Sequence, residues 1–440
     1  MSSSRTVDTL DDMRVEDMIF ISVDDHLVEP PHLFEGRVPA KFADRAPRVE
    51  HTDAGDDVWI FDGQTIPNIG LNAVAGRPKE EYGVNPTAFD EMRPGCYDVN
   101  ERVKDMSAGG VLACMCFPSF PSFSGRLFLG SADKALALAV VQAYNDWHID
   151  EWCGTHPGRF IPMALPVLWD PEVCAAEIRR VAAKGCHSVT FTENPNTLGL
   201  PSFHDAHWDP MWRALVEEGT ILNIHLGSSG QLAVTAPDAP IDVMITLQPM
   251  NICAAAADLV WSRVFKEFPA LRVALSEGGT GWIPYFLDRL DRTYDMHHLW
   301  TGQDFGERTP ADIFREHILT CFIADPIGLK LRDDIGIDNI CWEQDYPHSD
   351  SPWPTAPEEL AEMAAKYDVT DAELNKITHE NAMRWYRFDP FAHRARDAST
   401  VGALRAEVAG HDVSIRSMDK GRFAGAGTMT LGELADQATA

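Results

Sequence analysis

Acidic residues and histidines follow several short apolar runs of the sequence, and their types and spacing suit the binding of a metal ion. Asp24 and His26 are two residues apart, so in an extended strand both side chains point to the same side. His225 lies at the end of a second apolar run, and Asp345 follows a third. Two imidazoles and two carboxylates suit Zn²⁺, Mn²⁺ or Fe²⁺ better than Ca²⁺ or Mg²⁺. The sequence therefore predicts a transition-metal site built from three separate parts of the chain.

Each of these residues also has an ordinary structural role when it is considered alone. A single histidine at the end of a strand is usually a hydrogen-bonded structural residue. A single aspartate in that position commonly caps the helix that follows. The prediction of a metal site therefore depends on the coincidence of suitable donors at three predicted strand ends.

Eight apolar, β-rich runs alternate with helical patterns along the chain, which predicts parallel strands connected by helices. The predicted strands are 18–23, 110–117, 160–167, 188–192, 221–226, 271–276, 318–323 and 339–342. Clear helical patterns lie at 133–152, 171–184, 210–218, 251–265, 281–294 and 357–366. The alternation favours a (β/α)8 TIM barrel of the α/β class over a doubly wound open sheet, because no G-x-G-x-x-G motif follows the first run. In such a barrel the active site lies at the carboxyl ends of the strands.

Three segments depart from a minimal barrel. An insertion at about 30–95 separates the first two predicted strands, and it includes a predicted hairpin at 58–66. A lid loop at about 227–250 follows the fifth strand, where we expect it to shape the pocket. We predict one metal-dependent barrel over 18–390 and a C-terminal extension, or arm, at 391–440.

Several short motifs resemble, in their order and spacing, those of the amidohydrolase superfamily. They are SVDDHLVEP at 22–30, RFIP at 159–162, NIH at 223–225, EGG at 277–279, WIP at 282–284, DYPH at 345–348 and HENA at 379–382. From about residue 18 to residue 386 the chain resembles the amidohydrolase-related group that includes aminocarboxymuconate semialdehyde decarboxylase and γ-resorcylate decarboxylase.

The resemblance implies one divalent transition metal in the barrel mouth, for which we expect Zn²⁺, with Mn²⁺ as the alternative. The implied ligands are Asp24, His26, His225 and Asp345, and Asp345 would also touch the nucleophilic water. Decarboxylases of this group usually have a histidine before the two glycines, where this chain has Glu277. Related hydratases and carbon–carbon hydrolases carry glutamate there, which favours chemistry with water.

We therefore expect a metal-dependent hydrolase that uses a metal-activated water on a small carbonyl, amide, ester or carbon–carbon substrate. Asp345 would orient or deprotonate the water, and Glu277 would carry a proton to the leaving group. His348 would bind the substrate or stabilise an oxyanion, or else make a supporting hydrogen bond. The alternatives are a metal-dependent, non-oxidative decarboxylase of an aromatic or enoic acid, and a metal-free glycosidase that uses Glu193 and Glu277.

Two further charged residues are candidate substrate-binding groups. Glu29 precedes a Pro-Pro pair, and it could contact the substrate or simply anchor the first loop. Arg93 could clamp a substrate carboxylate, or it could form a turn-stabilising salt bridge with Asp98. The sequence leaves both alternatives open for each residue.

Charge and cysteine content limit the classes of partner. The 440 residues include 37 Lys and Arg against 67 Asp and Glu, a formal net charge of −30, which argues against nucleic acid or an anionic membrane as a partner. The nine cysteines include no C-x-x-C pair, which is typical of reduced thiols, and residues 1–19 show no secretory signal. We expect a cytoplasmic enzyme with a small-molecule substrate, and the resemblance implies a homodimer that the C-terminal extension could help to form.

Overall fold

Short buried strands alternate with helices through most of the chain, in the order that the sequence predicts. The computed structural model describes residues 14–67, 69–83, 86–420 and 427–433. The strands are β1 Ile21–His26, β2 Arg48–His51, β3 Asp57–Phe61, β4 Gln64–Ile66, β5 Ala113–Phe117, β6 Ser188–Phe191, β7 Ile221–His225, β8 Val273–Ser276, β9 Ile318–Phe322 and β10 Ile340–Trp342. The helices before the lid loop are α1 Val99–Ala108, α2 Arg126–Leu129, α3 Lys134–Trp147, α4 Pro171–Ala182 and α5 Asp209–Glu218. The helices from the lid loop onward are α6 Ile241–Leu247, α7 Met250–Trp261, α8 Val264–Glu267, α9 Ile283–Thr301, α10 Pro310–His317, α11 Pro326–Lys330, α12 Arg332–Ile335, α13 Ala356–Lys366, α14 Asp371–Asn375, α15 Asn381–Tyr386 and α16 Val401–Glu407.

The parallel strands form the centre of the fold. Five of them are hydrogen-bonded side by side in the order β6, β7, β8, β9, β10, and β1 pairs in parallel with β5. Every residue of these seven strands is buried. Burial on both faces explains why the sequence shows continuous apolar runs instead of an alternating pattern.

The predicted strand at 160–167 is not a regular strand. It makes two isolated parallel bridges, from Phe160 to Cys114 of β5 and from Ala164 to Val189 of β6. The segment contains two prolines, and a proline has no N–H to donate to a strand ladder. The segment therefore lies between β5 and β6 as expected, but without a continuous ladder.

The first strand begins and ends three residues later than the sequence predicts. β1 runs to His26, so Asp24 is inside the strand and not in the loop after it. Asp345 donates its backbone N–H to the carbonyl oxygen of Asp24 (2.8 Å), and His26 donates to Tyr346 (2.7 Å). The apolar pattern stops before the strand does, because the last residues of β1 carry the polar side chains of the site.

The hairpin predicted within the insertion is confirmed as β3 and β4, and β2 adds a third antiparallel strand beside β3. Asp62 and Gly63 connect the hairpin with positive φ angles of 48° and 79°, as a tight two-residue turn requires. Trp59 of β3 is buried, with its ring 5.9 Å from Phe34 and 4.3 Å from Phe120. This packing holds the insertion against the loop that follows β5.

The C-terminal extension contacts two other parts of the same chain. Arg416 donates its backbone N–H to the carbonyl oxygen of Gly76 in the insertion (2.8 Å). Farther along, the backbone N–H of Ile241 in the lid loop donates to the carbonyl oxygen of Met429 (3.0 Å). The described part of the extension thus connects the insertion to the lid loop.

Among the described residues, one stretch is long and apolar enough by length and composition to cross a membrane. It is Ile241–Trp261, with a mean hydropathy of 1.4 and 33% of the window buried. The structure divides it into α6 and α7, and α7 places Ile252, Ala256 and Leu259 in the hydrophobic core. One such stretch is only a weak indication, because a core helix passes the same test.

Candidate metal centre

β1, β7 and the loop after β10 bring the four predicted metal ligands together at the carboxyl ends of the strands. Two overlapping groups, Asp24 with His26 and His225, and His26 with Asp345 and His348, each offer ligand atoms that lie within 4.8 Å of one another. Nε2 of His26 is 3.1 Å from Nε2 of His225 and 3.3 Å from Oδ1 of Asp345. Nε2 of His225 is 3.4 Å from Oδ2 of Asp24. All five residues are buried.

Neighbouring groups aim the imidazoles at this cluster. Nδ1 of His225 donates to the carbonyl oxygen of Leu226 (2.5 Å), which leaves Nε2 to face the other ligands. The ring of His26 stacks on the ring of His348, with centroids 3.8 Å apart and planes inclined by 26°. Nδ1 of His348 in turn lies 3.1 Å from Oδ1 of Asp345.

The strand geometry separates the ligands from the residue between them. Asp24 and His26 face the cluster, whereas Asp25 points to the other side of β1, where it accepts a hydrogen bond from Ser22 Oγ (2.8 Å). Nη1 of the buried Arg102 lies 3.5 Å from Asp25 Oδ2. The two-residue spacing therefore places the predicted ligands on one side of the strand, as the sequence argument requires.

The polar atoms of the cluster are those expected around a cation. Neither carboxylate oxygen of Asp24 has a hydrogen-bond partner in the described part of the chain, and both are buried. Within the described residues, the buried oxygens of Asp345 likewise have no hydrogen-bond partner, although Oδ1 lies 3.3 Å from Nε2 of His26 and 3.1 Å from Nδ1 of His348. A buried carboxylate without a partner costs several kcal/mol. A metal ion would offset this cost, so these residues fit one.

Burial and mutual charge control the protonation of the cluster. Burial raises the pKa of Asp24 well above its usual range, and the carboxylate of Glu343 raises it further. Burial also lowers the pKa of His26. For His348 burial also lowers the pKa, but the nearby carboxylates of Asp345, Glu277 and Asp350 together outweigh burial, and the net shift of its pKa is upward. A divalent cation would keep Asp24 ionised, because it favours the charged form of a carboxylate.

Glu277 follows β8 directly, and its side chain contacts the cluster. Its Oε2 lies 3.0 Å from Nε2 of His225, and its side chain is 18% exposed, whereas the side chains of Asp24 and Asp345 are almost completely buried. Its backbone has a φ of 57°, which is uncommon for a residue with a side chain. Glu277 is therefore the carboxylate of the cluster that is open to a substrate, as its predicted proton-transfer role requires.

Glu343 belongs to the site, although sequence reasoning assigned no role to it. It is buried, and its Oε2 accepts the backbone N–H of Glu277 (3.2 Å) and lies 2.6 Å from Sγ of Cys321. This contact helps to hold Glu277 in its unusual backbone conformation. Its position in the sequence could have identified it as a site residue, because Glu343 follows the eighth predicted strand just as Asp345 does.

Two phenylalanines at the carboxyl end of β5 form an apolar wall beside the histidines. The ring of Phe123 is 4.2 Å from the ring of His225 and 5.0 Å from that of His26. The ring of Phe117 lies 4.8 Å from that of His225. Phe123 is only half-buried, so part of its ring faces the site. Sequence reasoning missed Phe123 because one aromatic residue in a loop gives no distinctive pattern.

Glu29 has the contacts of a loop anchor. Its carboxylate oxygens accept the backbone N–H groups of Ser119 (3.1 Å) and Phe120 (2.7 Å), and its side chain is buried. Burial raises its pKa to about 8. These contacts join the loop after β1 to the loop after β5, which supports the anchoring alternative over substrate binding.

The predicted pair between Arg93 and Asp98 is wrong. Asp98 instead caps α1, because its carboxylate accepts the backbone N–H groups of the first turn of that helix. Arg93 pairs with the buried carboxylate of Asp105 (2.7 Å) and donates to the carbonyl oxygen of Asp412 (2.7 Å). Its guanidinium also lies over the ring of Trp353 at 4.4 Å. Arg93 therefore fastens the C-terminal extension to α1.

Glu193, the partner of Glu277 in the glycosidase alternative, holds the beginning of the lid loop. Its carboxylate accepts hydrogen bonds from Ser229 Oγ (2.6 Å) and from the backbone N–H of Gly227 (3.1 Å). These contacts account for Glu193 as a structural residue. The glycosidase alternative also leaves the buried cluster of histidines and aspartates without a purpose.

Comparison with known proteins identifies the family. A family model described as amidohydrolase matches residues 38–388. The chain belongs to the amidohydrolase family. This match confirms the resemblance drawn from the sequence motifs, and aminocarboxymuconate semialdehyde decarboxylase and γ-resorcylate decarboxylase belong to the amidohydrolase superfamily.

This chain matches two curated relatives within the amidohydrolase superfamily over most of each relative's length. The 2-amino-3-carboxymuconate-6-semialdehyde decarboxylase of Dictyostelium discoideum is 21% identical over 318 residues, which are 71% of this chain and 83% of the relative. The gamma-resorcylate decarboxylase of Rhodococcus jostii (strain RHA1) is 22% identical over 321 residues, which are 69% of this chain and 92% of the relative.

Solved structures of the family share the fold. An amidohydrolase from Mycobacterium avium subsp. paratuberculosis K-10 superposes with a TM-score of 0.64 at 21% identity, covering 84% of this chain and 99% of that one. The 5-carboxyvanillate decarboxylase of Novosphingobium aromaticivorans DSM 12444, in complex with manganese and 4-hydroxy-3-methoxy-5-nitrobenzoic acid, gives 0.57 at 19% identity, covering 87% and 100%.

Proposed function

We propose that this amidohydrolase-family enzyme is a metal-dependent, non-oxidative decarboxylase of an aromatic or enoic acid. The decarboxylases among its relatives support this choice over the hydrolase that the sequence favoured. The observation that carries the proposal is the packing of Phe123 against His26 and His225. It gives a flat acid an apolar surface directly beside groups that can hold a cation.

The proposed metal ligands are Asp24, His26, His225 and Asp345. Mn²⁺ is our first choice, because a structurally similar decarboxylase contains manganese, and Zn²⁺ is the alternative. When bound, a divalent cation attracts the substrate carboxylate and stabilises the negative charge that develops during the reaction.

The other residues of the site handle the substrate and one proton. When the bond between the carboxyl carbon and the rest of the substrate breaks, CO2 leaves, and its electron pair stays on the substrate carbon. Glu277 has an accessible carboxyl group and gives this carbon a proton, after which water reprotonates Glu277. His348, whose Nδ1 lies 3.1 Å from Oδ1 of Asp345, is placed beside the metal ligands, where it can donate a hydrogen bond to the substrate.

A second candidate function is hydrolysis, and Glu277 is the observation that favours it. Its carboxylate lies 3.0 Å from Nε2 of His225. It is less suited than a histidine to stabilise the negative charge of a departing carboxylate, but it can accept a proton from water. In this alternative Asp345 orients the water, and Glu277 passes the proton to the leaving group.

One isotope experiment distinguishes the two reactions. Metal-loaded protein is incubated with hydroxybenzoic and enoic acids, and separately with amides, esters and lactones, in deuterated or ¹⁸O-labelled water. Decarboxylation releases CO2 and places one deuteron on the carbon that lost it, whereas hydrolysis places ¹⁸O in the product and releases no CO2. The His225→Ala variant, tested in parallel, should be inactive in either case. Turnover of acids without CO2 release would contradict the proposal.

We also infer that the strands close into an eight-stranded barrel. A continuous series of backbone contacts supports this closure. It runs from β1 to β5, through the bridges of Phe160 and Ala164 to β6, and on to β10. The hydrogen bond from Asp345 to Asp24 then returns to β1. The homodimer, the cytoplasmic location and the absence of nucleic-acid or membrane partners stay predictions from the sequence.

A further inference from the structure

A cavity of about 680 Å³ lies at the end of the strands opposite the metal centre. It is lined by residues that directly precede β7, β8, β9 and β10 and by residues of α15 and its C-terminal end. Four of the lining residues are arginines: Arg272, Arg315, Arg384 and Arg387. The proposed reaction uses none of them.

Most of the positive charge in this cavity is not neutralised by the protein. Its acidic neighbours have other partners, since Glu316 pairs with Arg308 (2.5 Å) and Asp338 pairs with Lys376 (2.9 Å). Arg384 is 3.9 Å from Asp338. The other three arginines have no carboxylate within 4.0 Å in the described part of the chain. Such a concentration of cations is unexpected in a chain with a net charge of −30.

Backbone contacts hold the guanidinium groups in place without neutralising them. Arg315 donates to the carbonyl oxygens of Asp334 (2.8 Å) and Ile335 (3.3 Å). The guanidinium of Arg387 makes no hydrogen bond within the described residues, and it lies against Gly219. A side chain at Gly219 would collide with it, so the glycine permits this close approach.

Two other side chains of the cavity provide further contacts for a ligand. Thr220 is 2% exposed, and its hydroxyl has no hydrogen-bond partner among the residues that the structure describes. Trp385 is half-buried, and Arg272 lies over its ring at 5.5 Å. A buried hydroxyl without a partner is costly, and a ligand that accepts its hydrogen bond would remove that cost.

We propose that this cavity binds a small phosphate-bearing anion. Guanidinium groups donate two parallel hydrogen bonds to phosphate oxygens, Thr220 provides a neutral donor, and Trp385 can contact an organic substituent. The cavity volume is that of a small-molecule site. Inorganic phosphate and a phosphate ester share the recognised chemistry, so the test includes both. The proposal is independent of the reaction at the metal centre.

The test is calorimetric titration of the metal-loaded protein with inorganic phosphate and, separately, with phenyl phosphate. We expect saturable binding of one ligand per chain. Arg387→Met should weaken it about tenfold or more, as expected for the loss of a charge-assisted hydrogen bond. Arg289→Met is the matched control, because Arg289 is exposed on α9 outside the cavity, and its affinity for phosphate should equal that of the wild type.

Two further measurements distinguish phosphate bound in this cavity from phosphate bound at the metal centre. Phosphate could also bind to a metal ion, and the His225→Ala variant tests this alternative. If phosphate binds in the cavity, His225→Ala should retain the calorimetric binding. Arg387→Met should retain the metal content and turnover of the wild type. Binding of phosphate alone identifies the free ion as the ligand, and binding of both probes identifies a phosphate ester. Unsaturable binding, equal affinity in Arg387→Met and Arg289→Met, or loss of binding in His225→Ala would overturn the proposal.

Discussion

The backbone N–H of Asp345 donates a hydrogen bond to the carbonyl oxygen of Asp24 at 2.8 Å, which joins the two aspartates proposed to hold the metal. Asp345 has a positive φ of 56°, a conformation that costs energy in a residue with a side chain and persists when its surroundings require it. This hydrogen bond therefore fixes the main chains of the two residues relative to each other, at the positions from which both carboxylates reach the cluster.

We expect Asp345→Asn and His225→Ala to lose bound metal. Even residues that only support a ligand change metal affinity by about 10- to 100-fold, so the loss of a ligand should reduce occupancy at least that much. Metal content of the purified proteins, measured by mass spectrometry, checks this. His32→Ala removes an exposed imidazole that belongs to neither group of ligand atoms and should keep full occupancy. Full occupancy in either ligand variant would show that the ligand assignment is wrong.

Glu277→Gln should retain the metal and lose turnover. The amide keeps the size of the side chain but cannot donate or accept the required proton, so turnover should fall by about 10²- to 10⁴-fold. Steady-state kinetics and metal analysis on the same preparation measure both quantities. Unchanged turnover would remove the proton-transfer role, whereas loss of the metal would assign Glu277 to the ligands.

Phe123→Ala should weaken the binding of aromatic acids but leave the metal in place. Aromatic contacts are worth about 0.5–1.5 kcal/mol, so the affinity for benzoate should fall between about twofold and tenfold. The affinity for cyclohexanecarboxylate, a carboxylate of similar size without the π-system, should change less. An equal loss for both acids would show that Phe123 contributes only apolar surface.

Arg93→Met distinguishes the anchoring role of Arg93 from substrate binding. Removal of one partner of a buried ion pair costs about 3–5 kcal/mol, and the cost here should be smaller, because Asp105 keeps the hydroxyl of Tyr346 (2.5 Å) and the imidazole of His411 (2.7 Å). We expect lower stability and faster proteolysis of the C-terminal extension, measured by limited digestion, with KM unchanged. An increased KM for acids, with the extension still protected, would instead support a substrate-binding role.

The stability of the protein should decrease in acid because of His148. Burial lowers its pKa to about 3, against an ordinary value of 6.5, so the folded state requires the neutral imidazole. This contribution to stability is complete above pH 6.5 and is lost as the pH falls toward 3. Relative to the wild type, His148→Gln should gain about 1.4 kcal/mol in free energy of unfolding for each pH unit below 6.5.

Denaturant unfolding of both proteins at neutral and acidic pH measures this difference. His32→Gln serves as the control, because it makes the same substitution at an exposed histidine. A difference between wild type and His148→Gln that does not change with pH would contradict the prediction.

Much of the fold could be predicted from the sequence, because buried parallel strands are apolar on both faces and appear as short runs. The candidate ligands could be selected from the sequence because polar residues at the ends of such runs are conspicuous, and the structure brings these residues together. The irregular segment around Phe160 was not predicted, since apolar character alone does not reveal the loss of strand hydrogen bonds at prolines. The partners of Arg93 could not be predicted, because Asp412 comes from the far end of the chain and only tertiary packing brings the two together.

The origin of the ligands from distant parts of the chain also has a consequence for biosynthesis. Asp24 and His26 leave the ribosome early, whereas Asp345 is made only after most of the chain has been translated. The complete ligand set therefore cannot exist on a short nascent chain, and we expect metal to be acquired late, when folding is almost finished. The metal available in the compartment at that stage would then decide which ion the enzyme carries.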